Sequence, residues 1–409
     1  MTFSEDDTLL ATASGDQSAK VTDMTTQTTR SVLQKHHATV KQVRFQPGQN
    51  NKSVLATSSR DGHVHIWDMR CKGSDGPVMD IHQPFGRSAT NCGLVNSFWD
   101  AHDPTSRHFQ PSNNPEKVYN EIGRQKEISV TTIQFLPSGQ ENFLLSASEI
   151  DSCVKLWDIR SLRVKDTSAA QYSCTRPVES HVQHRHYGIT SLVLSPDGSR
   201  FYTVCKDNTV YAYSTSHLVL GNGPGLDGIS QGRKTSASSV QEGLGPIYGF
   251  RHPRIHVSFY VKSAIRKAQN GKCEMLAVGS GDGCALLFPT DERYHPKSQR
   301  SSFGHGVNES ATSTIGTRAS QRRRRAPEEE DMIPISRNGT ALVGGHEKEV
   351  SSLSFTSEGE LVTVDDEYIV RCWREGPEAK ALRAGGQREG ARLRFGWADV
   401  DEKYDDEEV

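Results

Sequence analysis

HVQHRH, residues 181–186, gathers His181, His184 and His186 within six positions of the 409-residue chain. Histidine at such spacing can bind zinc, but no cysteine or acid stands beside it at a recognised ligand spacing, so a polar loop between strands is expected instead. GSGDG at 279–283 faintly resembles a phosphate loop, yet it sits inside a repeat register with Asp282 at the turn position, so a hairpin turn is expected. No GxSxG elbow and no Walker sequence occurs. Catalytic residues, metal and cofactor are therefore all expected to be absent. What remains is arginine: Arg70 closes WDMR and Arg160 closes WDIR, each two residues past Asp68 or Asp158. A planar guanidinium fork bonds a carboxylate bidentately, and that carboxylate can belong to the arginine's own blade or to a partner.

The elements that must carry these arginines are repeated. Six windows align without gaps on an acid six residues before an aromatic slot: Asp16, Asp61, Asp151, Asp207, Asp282 and, more weakly, Glu367. The slot holds Trp67, Trp157, Tyr213, Phe288 and Trp373, with Thr22 in the first window. Three residues and one residue before it the positions are apolar or small, as in Val64/Ile66 and Val154/Leu156, the period of two of a strand with one buried face. Another large apolar residue precedes each acid by six, from Leu10 to Leu361, and Asp61-Gly62 and Asp282-Gly283 supply turn chemistry between the two strands. Segments such as KQVRFQPG at 41–48 and TSLVLSPDG at 190–198 add strands upstream.

Four strands per unit of about 40–45 residues is the WD-repeat signature, and such units close into an all-β propeller. Six blades are recognisable. The first begins so close to Met1 that its outer strands and any earlier blade are expected to be missing, and seven blades are expected in an intact chain. The propeller is placed at 1–376, with long polar insertions at 71–127, 221–256 and 289–345, and an acidic, disordered tail at 377–409. Hydrophobic content of 34% fits a chain with such insertions.

A formal net charge of −2 gives no general attraction to nucleic acid or membrane. Eight cysteines without a CxxC pair read as reduced, structural thiols. With no signal peptide and no apolar run near 18 residues, a soluble intracellular protein is expected. Arg322, Arg323, Arg324 and Arg325 form a basic run before Glu328, and such a run in an exposed loop suits a nuclear localisation signal.

WDMRC, WDIR, YGITSLVLSPDG and SFYVKSA at 258–264 together resemble the denticleless-type (Cdt-two) substrate receptors of the cullin-four RING ubiquitin ligase, in order from about residue 9 to 373. The resemblance implies that Arg70, Arg160, Asp68 and Asp158 dock the propeller onto the ligase's damaged-DNA-binding adaptor. It also implies recruitment of degron-bearing substrates bound to the sliding clamp PCNA, for degradation during replication or DNA damage, in the nucleus and with no direct contact to nucleic acid or membrane. Trp67, Trp157, Trp373, Asp61, Asp151, Asp207 and Asp282 are expected to hold the repeats. Phe259 and Tyr260, at strand spacing, are expected in the core, and substrate contacts are left open. The alternative is a WD-repeat scaffold of a chromatin or RNA-processing complex with no ligase.

Overall fold

The computed structural model describes residues 1–48, 52–79, 88–102, 128–160, 171–178, 180–181, 185–220, 241–269, 271–291, 293, 333–375 and 395–396. Apart from a six-residue helix and a helical turn at Ser180–His181 they build strands and turns, in five sheets of which the first has eight strands and takes in two blades, so that six four-stranded units follow one another. The first unit holds β1 (Thr2–Phe3), β2 (Leu9–Ala13), β3 (Ser18–Asp23) and β4 (Thr28–Gln34); the second holds β5 (Val40–Phe45), β6 (Val54–Ser59), β7 (Val64–Met79) and β8 (Ser88–Phe98). β4 and β8 also pair in parallel, joining the two units at their outer edges. β9 (Val130–Phe135), β10 (Phe143–Ser148), β11 (Val154–Asp158) and β12 (Gln171–Cys174) make the third.

The fourth unit starts with β13 (Ile189–Leu194), β14 (Arg200–Cys205) and β15 (Thr209–Ser214); the helix α1 (Thr215–Leu220) and β16 (Gln241–Glu242), which adds to β12, precede its last strand, β17 (Tyr248–Phe250). In the fifth, β18 (Ser263–Arg266), β19 (Met275–Ser280) and β20 (Cys284–Pro289) are followed by β21 (Ile335–Ser336), which pairs with β17, and by β22 (Thr340–Leu342). The sixth contains β23 (Val350–Phe355), β24 (Leu361–Asp365), β25 (Val370–Arg374) and β26 (Phe395–Gly396).

Each unit is a blade of a WD-repeat β-propeller. The alternation in the sequence works as the pleat requires: Leu55, Ala56, Val64, Ile66 and Trp67 are all nearly inaccessible, because a blade packs on a neighbour through both faces. Five apolar clusters fill the joints between consecutive blades. Leu9, Leu33, Leu55 and Trp67 fill the first and Ile66, Phe98, Ile133 and Trp157 the second; Leu145, Ile189 and Phe201 occupy the third, Val204, Phe250, Leu276 and Phe288 the fourth, and Met275, Leu287, Leu353 and Trp373 the fifth. Among the described residues no such cluster joins the sixth blade to the first. Innermost strands are tied by polar links as well: the Ile133 amide donates to Gln42 (2.7 Å), Thr131 to the Ile189 carbonyl (2.5 Å), and Ser191 and Ser263 share a hydrogen bond of 2.9 Å.

Two expectations change here. The first blade has its outer strands, β3 and β4; it is the innermost strand, β1, that is reduced to two residues. The expected polar insertions contain β8, β16, β17, β21 and β22, the fourth strands of three blades and two added edge strands, and the expected disordered tail contains β26, the fourth strand of the sixth blade. An outermost strand packs on one side only, so segments such as SATNCGLVNSF and TAL carry too little apolar periodicity to be recognised. GSGDG is the β19–β20 hairpin: Gly283 has φ of +67°, and a Cβ on Gly279 would lie 2.1 Å from the Val350 carbonyl oxygen.

Candidate partner-docking surface

Strand direction divides the propeller into two faces. First strands run from one face to the other, second strands return, and third strands repeat the first. The ends of β7, β11 and β20 therefore lie on one face, and the second-to-third-strand turns with the entries to the first strands lie on the opposite face.

A hydrogen-bonded relay fixes the third strand in the second blade. Trp67 Nε1 donates to Thr57 Oγ1 (2.9 Å), which meets His36 Nε2 at 2.7 Å, while His36 Nδ1 meets Asp61 Oδ2 at 3.0 Å. Tryptophan can only donate and the carboxylate can only accept, so the two ends of the relay have fixed polarity. Burial raises the Asp61 carboxyl, but the hydrogen bond and charge of His36, with the His37 and His63 amides, outweigh it and hold it well below the usual carboxylate range. The sixth blade repeats the relay with Trp373, Thr363, His346 and Asp365, at 2.8, 2.6 and 2.8 Å.

The acid of the sixth blade is thus Asp365 and not Glu367, which the ungapped alignment selected; the turn there is built two residues earlier. In the third blade Trp157 and His102 share Ser146 (2.7 and 2.8 Å), whereas Asp151 accepts from Ser148 and the Cys153 amide. In the fourth, His181 Nε2 and the Tyr211 hydroxyl both reach Asp207 Oδ2, at 2.9 and 2.5 Å. His181, Cys205 and Asp207 offer ligand atoms within 4.8 Å of one another, but this is the blade's own His–Asp pair with a buried thiol beside it. His184 lies outside the described residues. Asp282 and Asp16 are exposed turn residues with no histidine partner among the described residues.

The relay places the two WDxR arginines. Just past the tryptophan the chain still follows the sheet, with the Met69 and Ile159 amides donating to the carbonyls of Ser53 (2.8 Å) and Asn142 (3.0 Å). Asp68 then accepts from the Arg70 backbone amide (2.9 Å) and, through both oxygens, from Arg70 Nε (2.9 and 3.1 Å) and Nη2 (2.7 Å). Asp158 holds Arg160 alike, with the amide at 3.0 Å, Nε at 2.9 Å and Nη2 at 2.8 Å. These hydrogen bonds hold both aspartates below the usual carboxylate range. The arginine side chains remain 68% and 62% exposed, on the same face of adjacent blades.

Pairing with the arginine's own blade is therefore real, and it orients the guanidinium without covering it. Of five N–H donors, three stay available to a partner. The same geometry recurs where no WD dipeptide marks it: Asp291 accepts from the Arg293 amide (2.9 Å) and Nε (2.7 Å), with Arg293 67% exposed. The alignment missed this pair because it lies two residues further from the aromatic slot. Searching for Asp-x-Arg itself, independent of Trp, would have found it.

Trp67 and Trp157 are 1% exposed and so hold their blades, as expected. Phe259 and Tyr260 are not in the core: they are 61% and 65% exposed, in a bend ahead of β18. The basic run Arg322–Arg325 lies outside the described residues. No helix among the described residues is long and apolar enough to cross a membrane.

The family model "WD domain, G-beta repeat" matches residues 27–68 and 175–214, spans that take in the second blade's relay and the third strand of the fourth blade. Repeat match and blade architecture together give this chain the fold of a WD-repeat β-propeller. Within that class its similarity lies with the denticleless-type proteins. It is 28% identical over 391 residues to "Cell division cycle protein cdt2" of Schizosaccharomyces pombe, covering 93% of this chain and 58% of that one. It is 28% identical over 293 residues to "Denticleless protein homolog" of Mus musculus, and 27% to that of Homo sapiens, covering 70% of this chain and 33% of each relative. The chain thus spans well under two thirds of the length of these relatives. A chain in the crystal structure of the mitotic checkpoint complex superimposes with a TM-score of 0.47 at 12% identity, over 91% of this chain and 72% of that one.

Proposed function

We propose that this protein is a substrate-recognition subunit of a cullin-four RING ubiquitin ligase. It docks on the ligase's damaged-DNA-binding adaptor through Arg70 and Arg160 with Asp68 and Asp158, and recruits degron-bearing proteins bound to PCNA for ubiquitylation during replication or DNA damage. It carries out no chemistry itself. The observation that supports the reading is the pair of matched aspartate-clamped arginines on one face of adjacent blades, in a chain similar to denticleless-type proteins. Clamping removes rotamer freedom before binding, so less entropy is lost when a partner carboxylate or carbonyl engages the free N–H groups.

The experiment is affinity purification of the tagged chain from cells. Recovery of the adaptor and cullin is the expected result. Recovery of chromatin or RNA-processing subunits without them would replace this reading with that of a scaffold.

A further inference from the structure

On the face opposite the clamped arginines the first strands bring cations to the propeller axis, and among the described residues Lys41, Arg44 and Lys262 have no ion-pair partner. Lys41 and Arg44 lie on β5, the innermost strand of the second blade, and Lys262 directly precedes β18, the innermost strand of the fifth. These blades are not neighbours, yet Lys41 and Arg44 both act on Lys262, and burial with their two charges pushes its ammonium down to about 8. As first strands, β5 and β18 both border the propeller axis, from different sides of the ring. Burial pushes the Lys206 ammonium, in the β14–β15 turn, down; Glu149 opposes this, and Arg185 and Lys41 add to it.

Arg44 sits deepest. Its Nε is closed to solvent and has no hydrogen-bond partner among the described residues, and burial pushes the guanidinium down to about 10. Among the described residues the Lys262 ammonium donates to the Thr190 carbonyl, at 3.2 Å. This face also carries carboxylates: Glu149 beside Lys206, Glu349, which accepts from Ser258, and the turn acids such as Asp16 and Asp282. Among the described residues none of these forms an ion pair with Lys41, Arg44 or Lys262. A buried cation without a counter-charge is costly, and one arrangement that relieves it is an anion arriving from outside.

The mouth supplies the second half of a site. Phe259 and Tyr260 project into solvent there, and Lys206 Nζ lies 3.4 Å from the centre of the Phe259 ring. Large exposed aromatics beside a charged recess are what a peptide needs and an inorganic anion does not.

We propose that this channel mouth binds an acidic peptide segment of a partner protein, its carboxylates entering the ring of Lys41, Arg44, Lys206 and Lys262 and an adjacent apolar side chain resting on Phe259 and Tyr260. The site is on the face away from Arg70 and Arg160, so it does not depend on adaptor docking.

The test is fluorescence anisotropy with the full chain and a labelled twelve-residue peptide of glutamates around one leucine. Saturable binding is expected, and Lys41→Glu and Tyr260→Ala, both on exposed side chains, each weaken it tenfold or more at unchanged melting temperature. Arg337→Glu, an exposed cation outside the channel, leaves it intact. Absence of saturable binding overturns the proposal. So does equal or tighter binding of a lysine peptide or of single-stranded DNA, or an unaffected Lys41→Glu variant. Binding seen only after removal of residues 397–409 also overturns it, since the occupant is then the chain's own terminus, with seven acids among its last eleven residues.

Discussion

An arginine clamped by the carboxylate two residues before it keeps three of its five N–H donors, and this defines what a substitution at Arg70 or Arg160 tests. Exposed ion pairs add little to stability, so Arg160→Ala is expected to leave the melting temperature within a degree or two while removing an oriented donor set. Arg293→Ala, two blades from Arg160, is expected to leave adaptor binding unchanged; loss of binding would extend the docking surface to the fifth blade. A different residue-scale prediction concerns His65. It is fully buried, stacked on His36 at 4.3 Å, and neither ring nitrogen has a partner among the described residues. Burial, then the His36 charge, push it down to about 3. Between that value and 6.5 the unfolded chain binds a proton that the folded chain refuses, so stability falls as pH falls through this window. Relative to His65→Leu, the parent should lose about 2 kcal/mol more between pH 7 and pH 5. Parallel stability curves from chemical denaturation at the two pH values would contradict it. Of these residues the arginines were legible in the sequence, because WDxR is local. His36 and His346 were not: they stand 25 and 19 residues before their acids, across loops of variable length.

At the scale of the element, a blade depends on the relay and on the joint it packs into. Trp157 belongs to both, donating to Ser146 and stacking on Phe98 of the preceding blade at 5.0 Å. Trp157→Ala removes a buried ring from the joint between the second and third blades and should cost about 3–5 kcal/mol. Thermal denaturation checks this; an unchanged melting temperature with lost partner binding would make Trp157 a contact residue instead. The fifth joint has a polar fastening that composition did not suggest: Arg266, 1% exposed, pairs with Glu375 at 2.6 Å and donates to the Cys273 carbonyl. Breaking such a pair from one side leaves a buried charge, so Glu375→Gln should destabilise far more than substitution of an exposed acid. Hairpins were readable from the sequence because second and third strands are buried on both sides and joined by short turns. Fourth strands were not, and neither was the exposure of Phe259 and Tyr260, since alternation alone cannot distinguish a strand from the bend that precedes one.

The whole molecule presents two faces with different chemistry, clamped arginines on one and a cation-lined channel with exposed aromatics on the other, a division suited to holding two partners at once. Where it works is a separate proposal. Replacing Arg322–Arg325 with alanine should abolish nuclear accumulation of the tagged protein if that run is its localisation signal, and imaging equal to the parent would assign nuclear entry elsewhere. The central claim is that two oriented arginines on adjacent blades carry adaptor docking. The most direct measurement is the affinity of the purified chain for the purified damaged-DNA-binding adaptor, compared with that of Arg70→Ala, Arg160→Ala and the double variant at matched folding. Truncating an interface arginine at a hot spot costs about 2 kcal/mol or more, so each single variant should bind roughly thirtyfold more weakly and the double variant should not bind measurably. An unchanged dissociation constant for the folded double variant would contradict the account.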